Sequence, residues 1–246
     1  MNKQEAFRAL AEEMSHCHLC RDMVTKPHTG CGEFLENDGH GLDTDRPYVN
    51  LWNLWQGSPD ADIMLIGQDF GTWQTGDSMC AEYRTPPYAD PTSRRLYELF
   101  GEVFGLDLSR PQPSLFFTNM ATCYRKNHTS GDMHSGWLPL CANRYMGRLI
   151  RIIRPQIIIV LGQAAFDAMF CLDGMPVRCE NPVEKAADSF AEIIKREYVI
   201  SCEEKSIPVF PVYHPGANAT RNRTIAQQRA DWLRIKRCYD ELRGVR

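Results

Sequence analysis

Four short apolar runs, separated by helical segments, constrain the fold of this chain more than any other feature of its sequence. Each run is continuous rather than alternating and ends in a small or polar residue. Continuous runs of this length are typical of strands covered on both faces, as in parallel sheets. The runs occupy residues 62–67, 114–119, 156–162 and 209–213, and the helical segments occupy residues 93–104, 142–154, 163–170 and 224–242. The alternation predicts an α/β fold with a doubly wound, four-stranded parallel sheet flanked by helices.

Two stretches lack this alternation and are interpreted as loop insertions. Residues 21–60 are rich in Gly, Asp, His and Pro, and residues 171–207 show no clear strand, although an acidic helix fits residues 182–197. We therefore expect one domain over residues 1–246 with insertions at about 21–60 and 171–207. A separate second domain is the alternative.

The cysteines and the N-terminus indicate the compartment. The first residues fit an amphipathic helix rather than a signal peptide, and no run approaches the roughly 18 apolar residues of a membrane span. We expect a cytoplasmic protein. Ten cysteines are many for that compartment but too sparse for a disulfide scaffold of this length. Clustered cysteines in a reducing compartment more often bind metal, and Cys17 and Cys20 form a CxxC pair.

Polar side chains follow each of the predicted strands. Gln68 and Asp69 follow the first strand, Asn119 ends the second, Gln163 follows the third, and His214 follows the fourth. Because ligands bind beyond the carboxyl ends of the strands in an open parallel sheet, a carboxylate, an amide and an imidazole should meet at one edge. The alternative is that these are ordinary turn residues, which favour strand ends in any case.

Five motifs in this order resemble the uracil-DNA glycosylase superfamily, and most closely its iron–sulfur branch, family 4. Residues 67–71 read GQDFG, similar to the family's GQDPY, GEAPG or GINPG motif. Residues 87–100 align without a gap with a segment of the PFVGPAGRLLDELL type. Residues 118–127 resemble TNVVKCRPPGN and residues 153–162 resemble IRPKVIVALG, and residues 214–216 match the closing HP motif.

The resemblance implies a role for each polar residue at the sheet edge. Asp69 would position the attacking water and stabilise the cationic sugar, where an ionised carboxylate is needed. Asn119 would read the Watson–Crick edge of a pyrimidine, since an amide offers both a donor and an acceptor. His214 would hydrogen-bond the pyrimidine O2 as negative charge develops there. The alternatives are a helix N-cap for Asp69 and a structural histidine.

The same resemblance implies a base pocket formed by Gln68, Phe70, Gly71 and Tyr88. Tyr88 stands where the family has a stacking phenylalanine, and its alternative role is packing within a proline-rich loop. Gly71 replaces the tyrosine that blocks C5 of the pyrimidine in GQDPY enzymes, which leaves space there. Both uracil and a pyrimidine with a C5 substituent, such as those of modified phage DNA, therefore remain candidate substrates.

The iron–sulfur branch also implies a metal site. Its ligand order is matched by Cys17, Cys20, Cys123 and Cys141, which would hold a [4Fe–4S] cluster. Four thiolates also suit structural zinc, which is the alternative, and His28 or Cys31 could compete as ligands. The role would be structural, tying the N-terminal helix to the loop after Asn119.

DNA is the partner that the resemblance implies, bound by a monomer. Arg221 and Arg223 follow the HP motif, where the family inserts a loop at the minor groove, and phosphate contacts there would be salt-sensitive. The net charge of −3 conceals an uneven distribution, because basic residues concentrate in 121–166 and 221–246. Three arginines at helical spacing add, at best, secondary phosphate contacts; they are Arg144, Arg148 and Arg151.

The function predicted from these features is a monofunctional DNA glycosylase. It would flip out a pyrimidine, hydrolyse its glycosidic bond and leave an abasic site, and no lysine nucleophile is evident for a lyase step. Its setting would be base-excision repair or defence against modified phage DNA. The alternatives are a non-catalytic nucleic-acid binder on the same fold and an unrelated α/β nucleotide-binding or redox protein. Neither GxGxxG nor GxxxxGK[ST] follows the first strand, which argues against the last.

Overall fold

Six strands form one mixed sheet in the computed structural model. The structure describes residues 2–15, 17, 59–69, 91–109, 112–121, 136–180, 189–216 and 219–244. The strands are β1 (Ile63–Gly67), β2 (Leu115–Asn119), β3 (Ile157–Leu161), β4 (Val177–Cys179), β5 (Tyr198–Cys202) and β6 (Lys205–Val212). Their order across the sheet is β2-β1-β3-β6-β5-β4. The pairs within β2-β1-β3-β6 are parallel, and β5 pairs antiparallel with both β6 and β4.

The sheet is larger than the sequence indicated. Four parallel strands were expected, and the four apolar runs do form the parallel half of the sheet. The prediction that residues 171–207 carry no clear strand was wrong, because β4, β5 and the start of β6 lie there. These strands were missed because β5 alternates between buried and half-buried residues and β4 has only three residues, one of them the exposed Arg178. An antiparallel edge hairpin does not need a continuous apolar run.

Helices flank the sheet, and the helical segments predicted at residues 93–104, 142–154, 163–170 and 224–242 correspond to helices of the structure, whereas the acidic helix predicted at 182–197 is limited, among the described residues, to Phe190–Ile193. Helix α1 precedes the sheet, α2 continues into a π-helical turn (Phe100–Phe104), and α3 and α4 are joined through another (Ala142–Met146). The described helices are α1 (Lys3–Ser15), α2 (Pro91–Leu99), α3 (Trp137–Cys141), α4 (Gly147–Ile153), α5 (Gln163–Met169), α6 (Phe190–Ile193), α7 (Ala219–Asn222) and α8 (Ile225–Leu242). Within the described part of the chain, no helix has both the length and the apolarity needed to cross a bilayer.

Both faces of the central strands are buried, which explains their continuous apolar sequences. Successive residues of a strand point to opposite faces. Met64 and Ile66 of β1 pack in one core with α1, α3, α4 and α5, whereas Ile63 and Leu65 pack in a second core with α2 and α8. The doubly wound arrangement that the sequence predicted is therefore confirmed for these strands.

Local sequence signals define where two of the helices end or begin. Arg154 takes the left-handed conformation (φ 52°) directly after α4, and Pro155 follows. Thr224 caps α8 with a capping box, in which its side chain accepts from the Gln227 N–H and Gln227 reaches back to the Thr224 N–H. The first signal ends α4 directly before β3, and the second defines the start of α8 after the last strand.

Candidate functional site

Asn119 lies directly over Gly67 at the carboxyl ends of the first two strands. The two residues face each other in the parallel register of β1 and β2. A Cβ atom added to Gly67 would lie 2.1 Å from Asn119 Oδ1 and 3.3 Å from its Cγ. Such an approach is closer than any side chain tolerates, so only glycine fits beneath the amide. The first residue of the GQDFG segment is therefore needed for the position of Asn119.

The amide of Asn119 is buried with an unsatisfied donor. The side chain is 3% exposed, and its Nδ2 has no hydrogen-bond partner among the described residues. The neighbouring Thr118 hydroxyl is in the same situation. Because a buried polar group without a partner costs about 1–3 kcal/mol, a donor left in this state at a strand end is suited to a ligand's acceptor atom.

Gln68 and Asp69 leave β1 alongside the chain that follows Asn119. The Gly67 carbonyl accepts from the Met120 N–H at 2.8 Å, and the Gln68 carbonyl accepts from the Ala121 N–H at 2.9 Å. The Gln68 amide donates to Asp69 Oδ2 at 3.3 Å. The backbone bonds extend the β1–β2 pairing by two residues and hold the Asp69 carboxylate, which is half-buried, at the edge of the sheet.

His214 follows β6 at the same edge, and a backbone N–H contacts its ring. Its Nδ1 accepts a hydrogen bond from the Gly216 N–H at 3.1 Å. An accepting Nδ1 places the proton of the neutral imidazole on Nε2, which therefore serves as a donor. A Cβ atom added to Gly162, which has a φ of 87°, would lie 3.4 Å from the His214 Cβ, so this glycine lies close to the histidine. A Cβ atom added to Gly216 would lie 3.4 Å from the Thr92 Oγ1, so α2 also lies close to this turn.

The strand order separates the carboxylate from the imidazole by one strand. Asp69 follows β1 and His214 follows β6, with β3 between them. Two strand spacings amount to roughly 10 Å, and the amide of Asn119 follows β2 on the far side of β1. The parallel half of the sheet thus brings the three predicted polar residues to one edge, where a planar ligand can lie across the strand ends.

Five of the predicted site residues lie outside the described residues. Three belong to the predicted base pocket and two to the predicted metal site; they are Phe70, Gly71, Tyr88, Cys20 and Cys123. Their roles stay predictions.

The two arginines of the predicted DNA contact differ in their surroundings. Arg221 is exposed on α7. Arg223 forms a bidentate ion pair with Asp231. Its Nε lies 2.5 Å from Oδ2, and its Nη2 lies 2.6 Å from Oδ1. The hydrogen bond to Asp231 raises the pKa of Arg223. A phosphate would have to compete with this carboxylate for Arg223, whereas Arg221 faces solvent.

Two of the four predicted metal ligands are described, and both lie beside the α3–α4 helix. Cys141 is buried at the end of α3, and Cys17 packs against the same core. The Tyr145 side chain, four residues after Cys141, hydrogen-bonds with the Cys17 side chain. No cluster of three metal-ligating side chains occurs among the described residues, since the other two cysteines lie outside them. The pair of thiols on neighbouring elements fits a site that takes four thiolates.

Sequence reasoning did not find the supporting residues of either site. Gly67 was identified only as a motif position, and its contact with Asn119 depends on the register of two strands. Tyr145 and Glu13 were not singled out, although each lies four residues from a predicted ligand, a spacing that places residues on one helix face. Arg144 and Arg148, expected to be solvated or to contact phosphate, pair instead with Glu13.

Two comparisons with known proteins agree with this geometry. A family model described as the uracil DNA glycosylase superfamily matches residues 54–236 of the chain. The type-4 uracil-DNA glycosylase of Sulfurisphaera tokodaii is 29% identical over 165 residues, which cover 66% of this chain and 63% of that protein. The chain therefore matches a little under two thirds of the length of this curated relative. The matched region of the chain includes all of β1 to β6 and the polar residues at the sheet edge.

Proposed function

The chain belongs to the uracil-DNA glycosylase superfamily, and from that premise we propose that it is a monofunctional DNA glycosylase. It hydrolyses the N-glycosidic bond of uracil, or of a pyrimidine with a C5 substituent, and leaves an abasic site. The target base is flipped from the stack because the bond is out of reach inside a duplex. The similarity to a type-4 uracil-DNA glycosylase supports the same reaction class.

The buried, unpaired amide donor of Asn119 is the observation that carries this proposal. Its Oδ1 packs over Gly67, which leaves Nδ2 as the group for a ligand. A donor at this position pairs with a carbonyl oxygen and not with an exocyclic amino group. We therefore expect a 4-oxo pyrimidine, such as uracil or its C5-substituted forms, to be preferred over a cytosine.

His214 supplies the second donor that the reaction needs. With the proton on Nε2, the neutral imidazole donates a hydrogen bond to the O2 of the base while negative charge develops on the departing ring. The hydrogen bond from Gly216 to Nδ1 fixes the ring orientation. His214 therefore needs no net charge to stabilise the leaving group.

Asp69 acts on the sugar side of the bond. As the bond breaks, the sugar becomes cationic, and an ionised carboxylate beside it lowers the energy of that state. The same carboxylate orients the water that completes hydrolysis. Gln68, Phe70, Gly71 and Tyr88 complete the base pocket in this proposal, with Tyr88 stacking on the base.

A metal cofactor is the second part of the proposal. Cys17, Cys20, Cys123 and Cys141 would hold a [4Fe–4S] cluster, with zinc as the alternative occupant of the same thiolates. The described pair supports this assignment, because Cys17 contacts the helix that carries Cys141 through Tyr145. The group would be structural, cross-linking the N-terminal helix to the segment after Asn119. A visible absorption band near ~400 nm together with iron analysis would identify the cluster; a colourless chain with zinc would identify the alternative.

DNA is the proposed partner, bound by a monomer in the cytoplasm. Arg221 contacts backbone phosphate beside the flipped nucleotide, and Arg223 contributes chiefly by shaping the segment around it. The biological setting is base-excision repair or defence against modified phage DNA. An oligonucleotide panel separates these settings, since the first requires uracil and the second requires a bulky C5 substituent.

The decisive experiment is excision from a panel of oligonucleotides, single- and double-stranded. Each carries one uracil, thymine, cytosine or C5-substituted uracil or cytosine, and alkali reveals abasic sites as strand breaks. We expect breaks only after alkali and only with 4-oxo pyrimidines. Breaks without alkali would contradict the monofunctional assignment, and efficient release of a cytosine would contradict the proposed role of Asn119.

Asp69→Asn tests whether the chain is a catalyst or only a binder. We expect excision to fall by at least about a hundredfold, with DNA affinity retained. Asp173→Asn, at an exposed turn, is the matched control and should excise at the wild-type rate. A folded wild-type chain that binds DNA but excises nothing would instead support a non-catalytic nucleic-acid-binding protein.

A further inference from the structure

Glu13 joins the N-terminal helix to the α3–α4 helix through two ion pairs. Its two carboxylate oxygens lie 2.9 Å from an Arg144 nitrogen and 2.7 Å from an Arg148 nitrogen. Hydrogen bonds from Arg148, aided by its charge and that of Arg144, hold the pKa of Glu13 below its usual value. One carboxylate therefore bridges two arginines that lie one helical turn apart. This restricts α1 from sliding along the α3–α4 helix as well as from moving away from it.

The packing of α1 and a backbone hydrogen bond at its end determine where Cys17 lies. Phe7, Leu10 and Met14 of α1 are buried in the core below the ion pairs. Beyond α1, the Cys17 N–H donates to the Met14 carbonyl at 3.1 Å, which continues the helical path to the cysteine. The position of Cys17 thus follows directly from the position of α1.

Tyr145 receives the Cys17 side chain on the opposite helix. It is buried in the core against which Cys17 packs, burial and a hydrogen bond with Cys17 raise the pKa of its hydroxyl, and the Arg144 guanidinium lies 5.9 Å from its ring centroid. Cys141 lies four residues earlier on the same helix, across a π-helical turn, an irregularity often found at functional sites. The contact therefore brings Cys17 to the part of the helix from which Cys141 projects.

We propose that Glu13 and Tyr145 are positioning residues for the metal ligand Cys17, which they hold beside the Cys141 helix before any metal binds. Half of the proposed ligand set is then preorganised by protein contacts before the metal binds. Preorganisation of this kind strengthens binding, because less conformational entropy is lost when the metal is bound. The inference rests on the cluster assignment made under the proposed function.

The first test uses the full chain after iron and zinc have been removed by a chelator under reducing conditions. The rate of Cys17 alkylation by iodoacetamide is measured by peptide mass spectrometry, with Cys238 of α8 as the internal reference. We expect Glu13→Gln and Tyr145→Phe each to accelerate alkylation of Cys17 by roughly threefold or more. Glu204→Gln, in the exposed β5–β6 turn, should match the wild type. Unchanged rates in both variants would overturn the proposal.

The second test uses the chain as purified and measures metal content and the rate of metal loss to a chelator. We expect both variants to lose metal several times faster than the wild type. Tyr145→Phe removes only a hydroxyl and keeps the ring, so it remains informative if Glu13→Gln folds poorly. A wild-type chain without iron or zinc would overturn the cluster assignment and with it the ligand role of Cys17. Equal loss rates with metal present would overturn only the positioning.

Discussion

At the residue scale, a single pair of facing residues decides the geometry of the proposed base site. Asn119 is buried at the end of β2, and its amide oxygen occupies the space where a side chain on Gly67 would be. The unpaired Nδ2 is therefore aimed by a glycine on the neighbouring strand. The proposed base contact of Asn119 therefore requires glycine at position 67, since any Cβ there would push the amide away.

Gly67→Ala tests this dependence. The new methyl group would overlap the Asn119 amide, so we expect excision of uracil to fall at least tenfold and the free energy of unfolding to fall by about 1–3 kcal/mol. Excision kinetics and thermal unfolding measure the two effects. Gly101→Ala is the control, because the nearest atom to its added Cβ is 3.9 Å away. An active, wild-type-like Gly67→Ala would show that the amide does not need this contact.

At the element scale, the corner between α7 and α8 sets the path of the chain after His214. Arg223 and Asp231 are only 14% and 13% exposed, and Gln228 donates to the Arg223 carbonyl at 2.9 Å. With the Thr224 capping box, these bonds fix the start of α8. Arg221 is thereby presented to solvent on the short helix before the corner, while Arg223 is used to build the corner.

Substitutions at this corner should separate stability from DNA binding. Asp231→Asn removes the negative charge and one of the two acceptor oxygens that pair with the half-buried Arg223, and we expect the free energy of unfolding to fall by about 1–3 kcal/mol. Arg221→Ala should leave stability unchanged but weaken DNA binding and reduce its salt dependence by about one counterion. Asp240→Asn, which loses only a more exposed pair with Lys236 on the same helix, should cost under about 0.5 kcal/mol. Denaturant unfolding and binding titrations at several salt concentrations measure these effects.

At the scale of the whole molecule, α1 belongs to the same core as the sheet. Phe7 packs edge-to-face on Phe116 of β2 with ring centroids 5.7 Å apart, and Leu10 is fully buried beside them. The helix that precedes the first strand by almost fifty residues therefore packs against β2, in the core on one face of the sheet. We propose on this ground that the chain unfolds as one cooperative unit.

Leu10→Ala tests this single-unit proposal. Removing a fully buried leucine should lower the free energy of unfolding by about 2–5 kcal/mol. The shift should be the same by circular dichroism and by tryptophan fluorescence, since coincident transitions indicate a two-state unit. Leu233→Ala, on an exposed face of α8, should have little effect. A separate early transition in the variant would indicate that α1 is an independent appendage.

Many of the arginines that the sequence concentrates after Asn119 and after the HP motif form ion pairs or hydrogen bonds within the chain. A count of basic residues therefore overstates the charge that faces DNA. The arginines engaged in this way include Arg144 and Arg148 on Glu13, Arg151 on the Asp173 carbonyl, Arg223 on Asp231, Arg229 on Glu102, and Arg234 on the Ile194 and Lys195 carbonyls.

The parallel half of the sheet and its polar edge were predictable from sequence. Continuous apolar runs identify strands buried on both faces, and parallel strands place their carboxyl ends together. The edge strands β4 and β5 were not predictable by the same signal. Val199 and Ser201 of β5 are only half-buried, so the hydrophobic contrast that marks a buried strand is weak there. Their pairing depends on β6, which the run at residues 209–213 revealed only in part.

The sequence by itself determined which residues end each central strand, because those positions depend on local apolar runs and helix-ending signals such as Arg154 and Pro155. Only the tertiary structure decided what these residues contact. The contact of Asn119 with Gly67 and the approach of Cys17 to Tyr145 each join distant segments, through strand register or helix packing. Such contacts depend on the three-dimensional path of the whole chain, which no local stretch of sequence encodes.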